Sequence, residues 1–367
     1  LQPGSWLGWF GGGFETVEEE AEMAKREKEL SNEPSVGVVI PNWNGIAFLP
    51  ACLESLRAQT HTGFRTIVVD NASSDGSLDL IESKFPEVRL IRLDENKGFG
   101  AAMNIGMREA QGEYVACLNN DTEVNPDWLS ELVACLERHP RAAAATSKML
   151  DLSERGQIDD CGDILTAYFR AYSRGRGEED QGQYNEEERV FGASGGASLW
   201  RNEVLRELGY FDEDLFAYYE DVDLSFRANL AGYECWYAPK AVVYHAGGGT
   251  SRQQASEFAY YHAVRNRWSM IVKNGPAGLL LRSFPRIFFA EMLSLAKAVT
   301  ERKTILTLKA HRDVLRALPG WTRRRKEVQG TRRINSRELR RLMSAGYPSL
   351  GDRIREASAN VFRARAT

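Results

Sequence analysis

Between residues 36 and 118, short β-branched or apolar runs alternate with helical patterns, and each apolar run ends in a polar cluster. This rhythm constrains the fold more than any other feature of the chain. Strands expected at 36–40, 66–69, 88–93 and 114–118, with helices at 48–59, 78–84 and 101–109, form the pattern of an α/β fold with a doubly wound, mostly parallel sheet. Crossovers in such a sheet are right-handed, and ligands sit beyond the carboxyl ends of the strands. Here those ends carry Pro41-Asn42-Trp43-Asn44, Asp70-Asn71-Ala72-Ser73, Asn96-Lys97-Gly98 and Asn119-Asn120-Asp121. Polar side chains therefore converge on one rim.

The flanking sequence has a different character. We expect a charged N-terminal appendage at 1–34, whose helix is opened by the capping-box pair Thr16 and Glu19, an α/β domain at 35–270, and a basic amphipathic helical extension at 271–367. A polar stretch at 173–188 is expected as a mobile loop over the cleft or as a solvated insertion. Five cysteines, none in a C-x-x-C pair, indicate neither a disulfide framework nor a zinc knuckle, so a reducing cytoplasm is the expected compartment. No apolar run reaches the roughly 20 residues needed to cross a bilayer, and residues 1–14 lack the marks of a signal peptide. The formal charge of −4 hides an imbalance: residues 301–367 hold 18 Lys/Arg against 6 Asp/Glu. Because Phe284, Phe288, Phe289 and Leu293 are interleaved with basic residues, the extension is expected to dock peripherally on the anionic inner face of a membrane rather than on nucleic acid.

Four groups carry chemistry. Asp121 leaves a buried strand, where one or two carboxylates suffice to hold a hard divalent ion on a diphosphate. His245 closes the run 241–244 and could complete that shell, which favours Mn²⁺ alongside Mg²⁺; a strand-end histidine is otherwise structural. The acceptor oxygens of Asp70, beside Asn71, suit the imide N–H of uracil or thymine, although a strand-end carboxylate can equally cap the next helix. Gly98-Phe99-Gly100 lacks the third glycine of a dinucleotide fingerprint, since Met103 stands there, so Lys97 and Gly98 are expected to offer charge and bare N–H groups to a phosphate or sugar. The acids of Glu220-Asp221-Val222-Asp223 suit a helix first turn, but following Tyr218-Tyr219 they also sit where aromatic surroundings raise a carboxylate's proton affinity and make it a usable base. Trp200 and Trp236 are core residues or flat faces for a sugar.

Six motifs in order resemble the family-2 glycosyltransferases with the GT-A fold, in particular the rhamnosyltransferase-like branch that builds bacterial cell-surface polysaccharides. The resemblance runs from about 36 to 267. It rests on Val39-Ile40-Pro41-Asn42-Trp43-Asn44-Gly45, Val69-Asp70-Asn71-Ala72-Ser73-Ser74-Asp75-Gly76, Asn96-Lys97-Gly98-Phe99-Gly100-Ala101-Ala102-Met103-Asn104, Leu118-Asn119-Asn120-Asp121-Thr122, Gly192-Ala193-Ser194-Gly195-Gly196-Ala197 and Tyr219-Glu220-Asp221-Val222-Asp223-Leu224, with His245 beyond them. It implies that Asp70 binds the nucleobase of a dTDP- or UDP-linked sugar, and that Asp121 with His245 holds Mg²⁺ or Mn²⁺. It further implies that Asp221 takes the acceptor proton, that Glu220 orients the acceptor or supports the base, and that the sugar is transferred with inversion to a saccharide or polyprenyl-linked acceptor. Pro41, Asn42, Asn44, Asn71, Lys97, Gly98, Asn104, Asn119 and Asn120 are then donor-side, and Gly195, Gly196 and Trp200 acceptor-side. The family often has an acid where Asn119 stands, and that departure motivates one alternative, a non-catalytic nucleotide-sugar or polysaccharide-binding module.

Overall fold

The structure, a computed structural model, describes residues 35–247 and 255–344. The appendage expected at 1–34 with its charged helix, and the tail past 344, lie outside the described residues. Strands β1 (Val36–Asn42), β2 (Phe64–Asp70), β3 (Arg89–Arg92) and β4 (Tyr114–Leu118) run parallel in the order β3-β2-β1-β4. Helices α1 (Leu49–Arg57), α2 (Ser77–Lys84) and α3 (Phe99–Glu109) form the crossovers. Every residue of β4 is buried, as are the last five of β2. A strand covered on both faces reads as an unbroken apolar run, which is why these were legible.

Strand β1 continues two residues further than the expected stop at Pro41. The carbonyl of Asn42 accepts from Asn71 N on the β2 side, so Pro41 faces the β4 side, where the ladder has already ended at Val39. The missing N–H of proline costs no ladder bond there.

Past β4 the sheet widens to ten strands. It gains β5 (Thr122–Val124), β6 (Ala142–Asp151), β7 (Ile158–Asp160), β10 (Glu188–Val190), β11 (Ala197–Arg201) and β12 (Glu234–His245), while β8 (Asp163–Leu165) and β9 (Ala171–Ser173) form a separate hairpin. Two pairings position the site. Antiparallel β11 starts where β4 ends, Ala197 opposite Leu118. β12 runs parallel to β6 and closes with His245 opposite Thr122 of β5.

Helices cover both faces. One core lies under α1, α2 and α4 (Trp128–Arg138) and holds Leu49, Leu53, Ile81, Trp128 and Leu132. The other lies under α3, α5 (Asn202–Leu208) and α6 (Glu220–Leu230) and holds Met103, Met107, Leu205 and Leu224. The extension follows as α7 (Ala255–Asn274), α8 (Ala277–Thr300), α9 (Thr304–Gly330) and α10 (Ser336–Ser344). Val222, Phe226 and Leu230 of α6 pack with Met270 of α7, Leu279 of α8 and Leu339 of α10 in a third cluster. Helix α6 is therefore buried on two sides, against the sheet through Leu224 and Ala228 and against the extension through Phe226.

The polar stretch after β9 is fastened down rather than ranging over the cleft. Lys148 Nζ donates to Asp180 Oδ2 (2.9 Å) and Asn185 Oδ1 (2.7 Å), Tyr237 donates to Tyr184 O (3.0 Å), and Ile158 N donates to Glu178 O (2.8 Å).

Candidate active site

The ends of β1, β2 and β4 are tied together by side chains. Asn42 Nδ2 donates to Asp70 Oδ1 (2.8 Å), and Asn42 Oδ1 accepts from Asn120 Nδ2 (2.8 Å). Asp70 Oδ2 accepts from Ser73 N (2.9 Å), and Asn44 Oδ1 from Ser74 N (2.8 Å). A carboxylate oxygen accepts more than one bond, so Asp70, although buried, keeps acceptor capacity for a base edge. Asn71 fastens the next segment, donating from Nδ2 to Gly98 O (3.1 Å) and accepting Lys97 N at Oδ1 (2.8 Å).

The N-terminus of α3 does not present bare donors to a phosphate as expected. Phe99 N and Gly100 N donate to Phe216 O (2.7 and 3.4 Å), and Gly98 N donates to Asn96 Oδ1 (2.9 Å). The reason is the docking of the loop 211–219 on this helix. Gly98 has φ 86°, and a Cβ there would lie 2.5 Å from Phe216 O, so only glycine permits the contact. Asn104 serves the same docking: its Oδ1 accepts from Phe211 N, and its Nδ2 donates to Phe211 O and Glu213 Oε1, each at 2.9 Å. The Lys97 side chain is exposed. Trp200 is also corrected. It is fully buried in β11 between β4 and β6, with Nε1 donating to Ser198 Oγ (3.1 Å), and a sealed indole offers no face to an acceptor.

At the other side of β4, His245 Nε2 lies 3.3 Å from Asp121 Oδ1 and 3.4 Å from Asn119 Nδ2, while its Nδ1 lies 2.8 Å from Asp159 Oδ2. Burial disfavours the imidazolium, but the bonds to Asp121 and Asp159 more than offset this and raise the His245 pKa to about 10. Asp159 acts on the imidazole from behind. A carboxylate on Nδ1 fixes the tautomer that leaves Nε2 for a metal, and Asp121 and His245 supply oxygen and nitrogen donors that fit Mg²⁺ or Mn²⁺.

Asp221 opens α6. Its Oδ1 accepts from Val222 N (2.8 Å) and its Oδ2 from Gly195 N (3.0 Å). Gly196 O in turn accepts from Asn119 N (2.9 Å). A Cβ on Gly195 would lie 3.3 Å from Asp221 Cβ, and one on Gly196 would lie 3.1 Å from Asn119 Nδ2. This two-glycine strip thus touches Asp221 on one side and Asn119 on the other.

Burial raises the Asp221 carboxyl above its usual range against the bonds from Gly195 and Val222. Glu220, buried and with Oε2 unpartnered, is raised by burial and then by the charge of Asp221. Asp163 is raised by burial and then by the Asp221 charge, so burial, with that charge acting on Glu220 and Asp163, supplies the effect expected from aromatic surroundings.

Asp159 and Asp163 escaped the sequence reading, since neither follows an apolar strand run. A second donor group, Cys135, His139 and Glu187, has its atoms within 4.8 Å of one another. It lies at the opposite end of β12 from His245, where His139 stacks on Trp236, and Glu187 already pairs with Arg138.

The glycosyl transferase family 2 model matches residues 37–209. The poly-β-1,6-N-acetyl-D-glucosamine synthase of Staphylococcus epidermidis is 26% identical over 66% of this chain and 61% of its own length. The chain therefore spans less than two thirds of that relative. The N-acetylglucosaminyl-diphospho-decaprenol L-rhamnosyltransferase of Mycobacterium tuberculosis is 29% identical over 57% of this chain and 76% of its own length. Among solved structures, S. aureus TarS 1–349 in complex with UDP-GlcNAc superposes with TM-score 0.54 at 19% identity, covering 84% of this chain and 90% of that one. The mannosyltransferase PcManGT of Pyrobaculum calidifontis, in complex with GDP-Man and Mn²⁺, gives 0.51 at 18% identity, covering 82% and 86%. These likenesses establish the GT-A type of sheet.

Proposed function

The chain carries a family 2 glycosyltransferase domain, and on that premise we propose that it moves a sugar, rhamnose or a similar hexose, from a nucleoside diphosphate to a hydroxyl of a saccharide or polyprenyl-linked acceptor in cell-surface polysaccharide synthesis, with inversion. The observation that carries this reading is the Gly195-Gly196 strip, with Asp221 bonded on one side and Asn119 on the other. Asp70 receives the imide N–H of a uracil or thymine base. Asp121 and His245, with Asp159 behind, would hold a divalent ion, which when bound stabilises charge on the diphosphate. Asp221 accepts the proton of the acceptor hydroxyl. The hydroxyl oxygen bonds to the anomeric carbon as the bond from that carbon to the diphosphate oxygen breaks, and the diphosphate leaves with the electron pair. Alignment supplies most of the rate, with the base adding about 10²–10⁴-fold.

A thermal-shift panel of dTDP-rhamnose and UDP-sugars, with and without Mn²⁺, tests the donor class, because a ligand that binds the native state raises its melting point by mass action. The expected result is a shift with one base class, together with release of its diphosphate on turnover. No shift and no release across the panel would overturn the reading.

We take 35–270 as the catalytic unit and 271–367 as an extension that meets an anionic membrane at its cytoplasmic face. Exposed Leu281, Phe284, Phe288 and Phe289 of α8 and Ile305 and Leu308 of α9 support this, interleaved as they are with Arg282, Arg286, Lys309 and Arg312. Among the described residues no helix is long and apolar enough to cross a membrane. Cosedimentation with anionic but not zwitterionic vesicles is expected, and Phe288→Glu with Phe289→Glu should abolish it; equal pelleting of wild type and variant would refute the surface.

A further inference from the structure

Resting on the assignment of Asp221 as base, we infer that Asn266 of α7 is a positioning residue for transfer: it holds the loop 211–219 and thereby sets where the Asp221 carboxylate stands. Three non-glycine residues of that loop, Phe216 (φ 60°), Tyr218 (φ 69°) and Tyr219 (φ 72°), occupy the left-handed region immediately before Glu220 and Asp221. Bulky side chains seldom adopt that conformation, and it persists only where the surroundings over-determine it. Asn266 provides the over-determination. Its side chain is fully buried, and its Nδ2 donates toward Leu215 O (2.8 Å), Ala217 O (2.9 Å) and Tyr218 O (2.8 Å). An amide has two N–H bonds, so three carbonyls share them, and all three belong to the backbone that turns through the left-handed residues.

The amide is held in turn. Asn266 Oδ1 accepts from Arg265 Nη1 (2.8 Å), which also donates to Asp214 O (2.9 Å). About two helical turns further on, Lys273 pairs with Asp212 at the start of the loop and with Asp223 of α6 (3.0 Å), and Asn274 Nδ2 donates to Asp223 Oδ1 (3.0 Å). On the opposite side the loop is pinned to α3 through Phe216 O and Asn104. The loop therefore lies between two helices, and Asn266 is the side chain that reaches the carbonyls of Leu215, Ala217 and Tyr218 in its turn. Among the described residues, the Asp221 carboxylate accepts from the backbone N–H groups of Gly195 and Val222. A relaxed loop would let α6 begin elsewhere and swing the carboxylate off that line.

The test uses Asn266→Ala and Asn266→Ser in the full chain, the serine keeping one donor. With the donor found by the panel, kcat is expected to fall about 10- to 100-fold in the alanine variant, the scale of a misplacement of roughly 1 Å. The fall should be smaller in the serine variant, and donor KM should stay unchanged because the bonds that hold Asp70 come from Asn42 and Ser73, not from the loop. Because a smaller folded fraction would also lower apparent kcat at unchanged KM, rates are taken per folded molecule, the fraction being read from denaturant melts. Amide hydrogen exchange reads the loop whether or not turnover is found: residues 215–219 should exchange at least 10-fold faster in the alanine variant, with 70–73 unaltered. Wild-type exchange at 215–219, or wild-type kcat in both variants, overturns the inference. Absence of turnover in the wild type would instead count against the proposed function, leaving the exchange result to decide the role of Asn266.

Discussion

The two walls of the proposed cleft are built by different means. On the wall proposed for the donor, Asn42, Asp70 and Asn120 stand at adjacent strand ends, and the parallel register sets Asn42 directly opposite Asp70, so the sheet itself places the group. On the opposite wall, Asp221 follows three left-handed residues and depends on a loop braced from α3 on one side and α7 on the other. One wall follows from strand pairing. The other is an arrangement of backbone that distant side chains maintain, and the comparison predicts that the two will respond differently to substitution.

The largest effect should come from Asp221→Asn, which keeps the shape and removes the proton acceptor. Turnover is expected to fall about 10²–10⁴-fold with donor affinity unchanged. Asp70→Ala should do the reverse, raising donor KM while turnover at saturating donor is retained. Steady-state kinetics with both substrates varied separates the two outcomes. Near-normal turnover in Asp221→Asn would break the division of labour between the walls and return attention to a module that binds without catalysis.

Legibility in the sequence follows the same division. The donor wall could be read because buried parallel strands are continuous apolar runs, and the residue that ends each run lies on the rim: Asp70 after β2, and Asn119-Asn120-Asp121 after β4. The glycine strip is legible only through motif order, and Glu220-Asp221 through a run of acids at a helix start after two tyrosines, neither through periodicity. Local spacing for Gly98, and the motif for Asn104, did not show their partners, Phe216 and Phe211, which are more than a hundred residues away, and a glycine before a helix looks the same whether a phosphate or a carbonyl approaches it. Trp200 was open to two readings until the antiparallel insertion of β11 between β4 and β6 buried it. Asp159 lies in the three-residue strand β7, too short to show a period.

A smaller effect is expected of Asp159→Asn, since it leaves every donor on the cleft in place. It replaces the carboxylate that orients His245 through Nδ1 (2.8 Å) and that also pairs with the exposed Arg176 (3.3 Å). Loss of such a partner typically costs about 10–100-fold in metal affinity. Titration of Mn²⁺ in the presence of the nucleoside diphosphate should show this loss, and saturating Mn²⁺ should restore turnover. If turnover stays low at saturating metal, Asp159 acts on the other wall as well, and the two are less separable than the geometry indicates.

The smallest effect sharpens the comparison through stability. Glu220 is buried with Oε2 unpartnered, and burial together with the Asp221 charge holds its carboxyl well above the usual glutamate range. A carboxyl raised in the folded state binds more protons there than in the unfolded chain, so its contribution is present at acid pH and is lost as pH rises through the folded value. Glu220→Gln mimics the protonated form and does not titrate. The variant should therefore match the wild type near pH 4 and exceed it by about 1 kcal/mol at pH 7, the lower end of the cost of a buried unsatisfied group. Denaturant melts at the two pH values measure the difference. No comparable gain is expected of Asp70→Asn, whose two oxygens already accept from Asn42 and Ser73. Equal responses at the two sites would mean that strain is not concentrated on the wall that carries Asp221.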